Sequence, residues 1–212
     1  MLNEFLYSLF LDETLYGYAE IDEDMKSRTG CKCALVTLLP FPDLGKNYRP
    51  SEFYEMSEEL RKKHSQKVRE VKKYLDENNI TYVVPPASPE DNGEYKADFS
   101  YKWAAIHAGL GCIGKNDVFV HHKYGQRVRI SCILLDMDTP VFCGKIESKC
   151  GDCDLCVKAC PHHLLSGKSW TKDICREELV DYRHCATKSK YDGEGKMYLC
   201  CHCTMACRWH ML

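Results

Sequence analysis

The stretch from Cys150 to Cys207 constrains this chain more than any other. It reads Cys150-Gly-Asp-Cys153-Asp-Leu-Cys156-Val-Lys-Ala-Cys160-Pro161 and later Cys200-Cys-His-Cys203-Thr-Met-Ala-Cys207, with Cys185 between the two runs. The first run is C-x2-C-x2-C-x3-C-P, the spacing of bacterial two-cluster ferredoxins, in which the fourth cysteine ligates the other cluster. One such run predicts a second set of ligands, and the later cysteines supply it. A four-iron cube needs one thiolate per corner, so a loop with two residues between cysteines wraps three corners and the fourth must come from elsewhere. Pro161, with its fixed φ and no N–H, directs Cys160 away from the first cube. The assignment that follows is Cys150, Cys153, Cys156 and Cys207 on one [4Fe–4S] cluster, and Cys160, Cys185, Cys200 and Cys203 on the other.

Three plainer readings compete. Zinc ribbons use well-separated C-x2-C pairs rather than a three-cysteine run closed by a fourth and a proline. A disulfide framework belongs to secreted chains, and Met1 to Leu11 has no basic leader and carries Glu4, so it reads as a short helix rather than a signal peptide. Buried cysteines acting as small hydrophobes suit Cys31, Cys33, Cys112, Cys132 and Cys143 but not the tail's spacing. Cys175 and Cys201 lie close enough in sequence to compete as ligands. With 15 cysteines and no long apolar run, the expectation is a cytoplasmic protein whose thiols serve metal or redox chemistry. The formal charge of −2 offers no basic footprint for nucleic acid.

Upstream of the cysteines the pattern is that of a layered α/β (α+β) domain. Leu2, Phe5, Leu6, Leu9 and Phe10 recur at helical spacing. Tyr16 to Ile21 reads as a strand, and the continuously apolar Cys33 to Leu39 as a buried one. Ser51 to Asn78 is the longest helical pattern, with Phe53, Met56, Leu60, His64, Val68, Val71 and Leu75 on one stripe; His64 there reads as a packing residue. Ile80 to Val84 is a short strand, residues 85–98 a polar loop, and Tyr101 to Ala108 a helix. Asp117 to His122 and Arg127 to Leu135 are strands on either side of a Tyr124-Gly125 turn. After Pro140 the composition shifts to cysteine and charge, dividing the chain into an α/β domain over 1–142 and a ferredoxin-like double-cluster domain over 143–212.

Residues 109–116, Gly109-Leu-Gly111-Cys-Ile-Gly114-Lys115-Asn116, satisfy G-x-G-x-x-G and nearly a P-loop. Both motifs need a strand before the glycines and a helix after, and here the order is reversed. The loop reads instead as a glycine-lined helix end, with Gly109 left-handed, whose bare backbone could also lie close to a large flat ligand. Tyr101, Asp98 and His107 stand near it as candidate proton donors.

With this loop and the cysteine run in view, the chain resembles the epoxyqueuosine reductase family, iron–sulfur and cobalamin proteins related to reductive dehalogenases. Ala108-Gly-Leu-Gly-Cys-Ile-Gly-Lys-Asn116 is similar to that family's A-G-L-G-W-x-G-K-N. Trp170 and Arg176-Glu-Glu-Leu-Val-Asp181 match a stretch found in short members before the middle cysteine. The resemblance implies a corrinoid on the α/β domain, with Gly109, Gly111, Gly114, Lys115 and Asn116 in its binding loop. It also implies two [4Fe–4S] clusters partitioned as above, and an electron donor such as a ferredoxin or flavodoxin. Asp98 does not stand in the V-D-T-A-P context of the tRNA-modifying members' proton donor, Cys112 replaces the loop tryptophan, and Arg208 stands where proline follows the last cysteine. The expected function is therefore an iron–sulfur oxidoreductase acting on a small molecule rather than on tRNA. The alternative is an accessory electron-transfer protein without cobalamin.

Overall fold

The computed structural model describes residues 1–42, 49–87, 97–139, 147–188, 190–191, 197–198 and 200–210. Two compact units interleave along the chain. One comprises Met1–Leu39, Lys62–Leu110 and Arg129–Ile146, the other Pro40–Arg61, Gly111–Val128 and Glu147–Leu212. The expected boundary at residues 142 and 143 lies outside the described residues, as does Cys143.

The first unit is a mixed α+β body. Helix α1 (Leu2–Phe10) buries Leu2, Leu6 and Phe10 along one stripe and stops at Leu11, whose left-handed φ of 58° lets its N–H reach Tyr7 O. Strand β1 (Tyr16–Glu20) pairs antiparallel with β2 (Cys33–Pro40), Tyr18 opposite Leu35. Between them the seven-residue α2 (Glu23–Thr29) turns the chain back. Its ends follow from Asp22, which accepts the Met25 N–H at 2.7 Å, and from Gly30 at φ 72°; these satisfy backbone groups that a helix end otherwise leaves open. Helix α3 runs Pro50–Glu77 and buries Leu60, His64, Val71 and Leu75 of the expected stripe.

The expected strand over 80–84 shortens to β3 (Tyr82–Val83). Helix α4 (Tyr101–His107) is capped by Ser100. Strand β4 (Gly111–Ile113) falls inside the glycine loop and was not expected there; it pairs antiparallel with β5 (Phe119–His121). The strands flanking Tyr124-Gly125 therefore belong to different sheets. Strand β6 (Val128–Leu135) joins the four-stranded sheet, order β1-β2-β6-β3.

Leu35, Val36, Leu38, Ile133, Leu134 and Leu135 of the central strands are fully buried together with Leu6, Leu75 and Ile106. Each such side chain contributes about 1.5–3 kcal/mol relative to exposure. His64 sits in this core as a satisfied packing residue, its Nε2 3.0 Å from Thr37 Oγ1. No helix among the described residues is long and apolar enough to cross a membrane.

Candidate iron–sulfur site and glycine hairpin

The cysteine-rich part of the second unit is built from short elements. Gly151, left-handed at φ 48°, lets Cys153 N–H return to Cys150 O at 2.9 Å. Helix α5 (Leu155–Ala159) follows and carries Cys156 to a buried position. Cys160 leaves the helix in extended conformation (φ −73°, ψ 109°), the geometry that a following proline imposes. Its Sγ accepts the Leu164 N–H at 3.5 Å.

The chain then forms a small core of its own, in which Leu179, Val180 and Tyr182 are buried and Leu165, Trp170 and Ile174 pack on them. Backbone bonds from Ser166 N to Leu179 O and from Asp181 N to Leu164 O, both 3.0 Å, fasten the segment after Cys160 to the segment before Cys185. The Trp170 and Arg176–Asp181 motif is thus the scaffold of Cys185. Helix α6 (Arg176–Leu179) precedes it, and α7 (Tyr182–Ala186), capped by Asp181, carries it. After the short pair β7 (Lys190–Tyr191) and β8 (Met197–Tyr198), α8 (His202–Met205) packs on α5.

Several thiols of the tail feel one another's charges. Burial pushes Cys156 up to about 11, reinforced by Cys150, Cys203 and Cys207. Cys207 is likewise raised to about 11 by burial, then by Cys150, Cys153 and Cys112. Cys185 is raised by burial and then by Cys203, Cys200 and Cys160; Cys200 is raised by burial and feels Cys203 and Cys160. Cys203 acts on Cys156 as well as on Cys185 and Cys200. Mutual repulsion of this kind holds thiols protonated until a cation replaces the protons. Among the described residues, no three His, Cys, Asp or Glu side chains are grouped to hold a single metal ion.

Of the two competing cysteines, Cys201 is buried, raised to about 12 by burial and then by Cys200 and Cys203, and lies 3.3 Å from Met205 Sδ. Cys175 is exposed and donates to Glu178 Oε1 at 3.4 Å. Cys112, read from the sequence as a packing residue, is buried, and its thiol bonds the Lys149 backbone and feels Cys150.

Each glycine of the loop has a local reason. Gly109, at φ 73°, ends α4. A Cβ on Gly111 would stand 2.1 Å from Val120 O, and one on Gly114 2.9 Å from Asn116 Oδ1. Asn116 and Gln126 exchange two buried amide hydrogen bonds, 3.0 and 2.8 Å, and Lys115 is buried beside them. The candidate proton donors do not converge. The Tyr101 hydroxyl donates to Pro85 O and is raised to about 12 by burial. Asp98 pairs with Arg28 at 3.1 Å on the surface, and the His107 ring, lowered by burial, lies against Trp103.

Fold and thiol arrangement place the chain among mixed α+β proteins with a cysteine-rich segment, and the comparisons narrow this. No family model matches the chain. Over 115 residues, 49% of its length, it is 25% identical to the epoxyqueuosine reductase of Aliivibrio fischeri, and over 109 residues 29% identical to that of Leadbetterella byssophila. It is 28% identical over 122 residues to a tetrachloroethene reductive dehalogenase of Desulfitobacterium hafniense. The chain spans 28%, 34% and 21% of the length of these relatives. The fold of Bacillus subtilis epoxyqueuosine reductase superposes with a TM-score of 0.62 at 16% identity, over 99% of this chain and 64% of that one. The reductive dehalogenase NpRdhA superposes at 0.61 and 15% identity, over 85% and 26%. The chain is thus similar in sequence over about half its length, and in fold, to epoxyqueuosine reductases and reductive dehalogenases.

Proposed function

We propose that the chain is an iron–sulfur oxidoreductase whose tail holds two [4Fe–4S] clusters, Cys150, Cys153, Cys156 and Cys207 on one and Cys160, Cys185, Cys200 and Cys203 on the other. The observation that carries this reading is the spacing of the cysteines, C-x2-C-x2-C-x3-C-P from Cys150 to Pro161 followed by Cys185, Cys200, Cys203 and Cys207, the pattern of two-cluster ferredoxins. A cube spreads its four thiolates over four irons, so it asks for sulfurs that share a region without closing on one ion. Ser148 Oγ, buried two residues before Cys150 with no partner among the described residues, supplies a donor that a cluster sulfur would satisfy. When bound, such clusters pass single electrons at potentials set by burial and hydrogen bonds to sulfur. The chain's own part is to exclude water from Cys156 and Cys207, to donate the Leu164 N–H to Cys160, and to fix Cys185 through the Trp170 core. A redox partner such as a ferredoxin or flavodoxin supplies the electrons, and the substrate is a small molecule.

A corrinoid fits the loop less well. The faces of Gly111 and Gly114 are filled by Val120, Phe119, Asn116 and Gln126, and Asn116 is spent on Gln126. The five loop residues do not by themselves form a cobalamin cradle. This favours, as a second reading, an electron-transfer protein without cobalamin. Anaerobic reconstitution followed by absorbance titration with cobalamin separates the two. Saturable uptake supports the corrinoid-linked reductase, and none supports the carrier. One solved relative is an epoxyqueuosine reductase bound to a tRNA stem loop, so the same reconstituted protein should be titrated with a tRNA stem loop. Tight binding would contradict the small-molecule reading.

A further inference from the structure

The Arg176–Asp181 motif does more than support Cys185. Arg176 Nε lies 3.0 Å from Asp117 Oδ2, and its guanidinium stacks 4.2 Å from the centre of the Tyr182 ring. Asp117 occupies the tight turn of the glycine hairpin, with a left-handed φ of 58° and its N–H on Gly114 O at 2.9 Å. Its carboxylate is 10% exposed against 43% for Arg176. Tyr182 is buried and opens α7, the helix that carries Cys185. The guanidinium is therefore held from two sides, and the Tyr182 ring on which it lies stands three residues before Cys185, on the same side of α7. Arg183 also lies over the Tyr182 ring, at 4.9 Å.

Resting on the cluster reading above, we propose that Arg176 is a positioning residue that tunes the second cluster. Held by Asp117 and Tyr182, it keeps one positive charge beside the Cys185 corner and eases addition of an electron there, while Asp117 partly offsets that charge. Adding an electron makes a cluster more negative, so a nearby cation favours the reduced state and a nearby anion opposes it. Because Arg176 is half exposed, solvent and salt screen the effect. We expect about a three- to tenfold change in the reduction equilibrium, the upper figure being about 59 mV for one electron.

The test is an anaerobic potentiometric titration followed by EPR on reconstituted full-length protein, with the second cluster identified as the signal that Cys185→Ser perturbs. Arg176→Gln should lower that cluster's midpoint and leave the first unchanged, and Arg176→Lys should hold it near wild type. Asp117→Asn, which keeps the shape and tolerates the left-handed backbone, should move it the opposite way, upward. It keeps the inference falsifiable if Arg176→Gln fails to load iron. Unshifted midpoints in loaded Arg176→Gln, or an unchanged or lowered midpoint in Asp117→Asn, overturn the inference while leaving the clusters in place. A wild-type chain that takes up no clusters overturns both.

Discussion

Acidification should destabilise the fold through one buried ring. His64 is 2% exposed, and burial, with Arg129 and Lys67 adding to it, lowers it from 6.5 to about 4. The folded state therefore prefers the neutral ring, and between about pH 4 and 6.5 the unfolded chain binds more protons. Stability is complete above 6.5 and falls as pH drops through that window. At 1.36 kcal/mol per pKa unit, the loss attributable to this residue is about 2 kcal/mol at pH 5 and about 3 kcal/mol once pH 4 is reached. His64→Gln can still hydrogen-bond Thr37 but cannot titrate, so it isolates the term. Anaerobic urea unfolding of both proteins at pH 7.5, 6 and 5, read as the difference in unfolding free energy, cancels whatever the tail thiols contribute to both. The difference should shift against the wild type by about 2 kcal/mol from pH 7.5 to 5. Parallel curves, with the difference constant to about 0.5 kcal/mol, would refute the assignment of the acid sensitivity to His64.

Two further outcomes follow from the hairpin and the tail. Gly111→Ala drives a methyl onto backbone at Val120 O, and thermal unfolding should show a loss of about 1–3 kcal/mol or more. Gly30→Ala meets nothing within 4 Å and should cost only the left-handed strain of about 1–2 kcal/mol; equal losses would show that the close approach is not what makes Gly111 glycine. Ser148→Ala should leave iron content unchanged and lower the first cluster's midpoint in a potentiometric titration, since hydrogen bonds to sulfur raise cluster potentials. An unmoved midpoint would place that hydroxyl elsewhere.

How much of this was legible depended on whether the signal was local. The α1 stripe and the apolar β2 run declare themselves because one face or both faces of an element must be buried, and both lie where the spacing put them. Helix α2 was missed although Asp22 and Gly30 stand at its two ends, because seven largely charged residues carry no apolar stripe to mark them. Strand β4 was missed because its pairing with β5 depends on Gly111 giving room to a carbonyl nine residues away, which no periodicity encodes. The same long-range pairing explains why β5 does not fold back on β6. In the tail, thiol spacing is a ligand pattern in its own right, so a candidate ligand set could be proposed from it. That Cys112 lies beside the Lys149 backbone and feels Cys150 could not, since a lone cysteine in a glycine loop looks like packing.

The central claim is that the tail thiols hold a pair of cubes, and metal analysis of the anaerobically reconstituted chain tests it most directly. Two four-iron clusters require about eight irons and about eight acid-labile sulfides per chain, with Cys153→Ser and Cys185→Ser each losing about half. About four irons, or a zinc content near one with no sulfide, would contradict it.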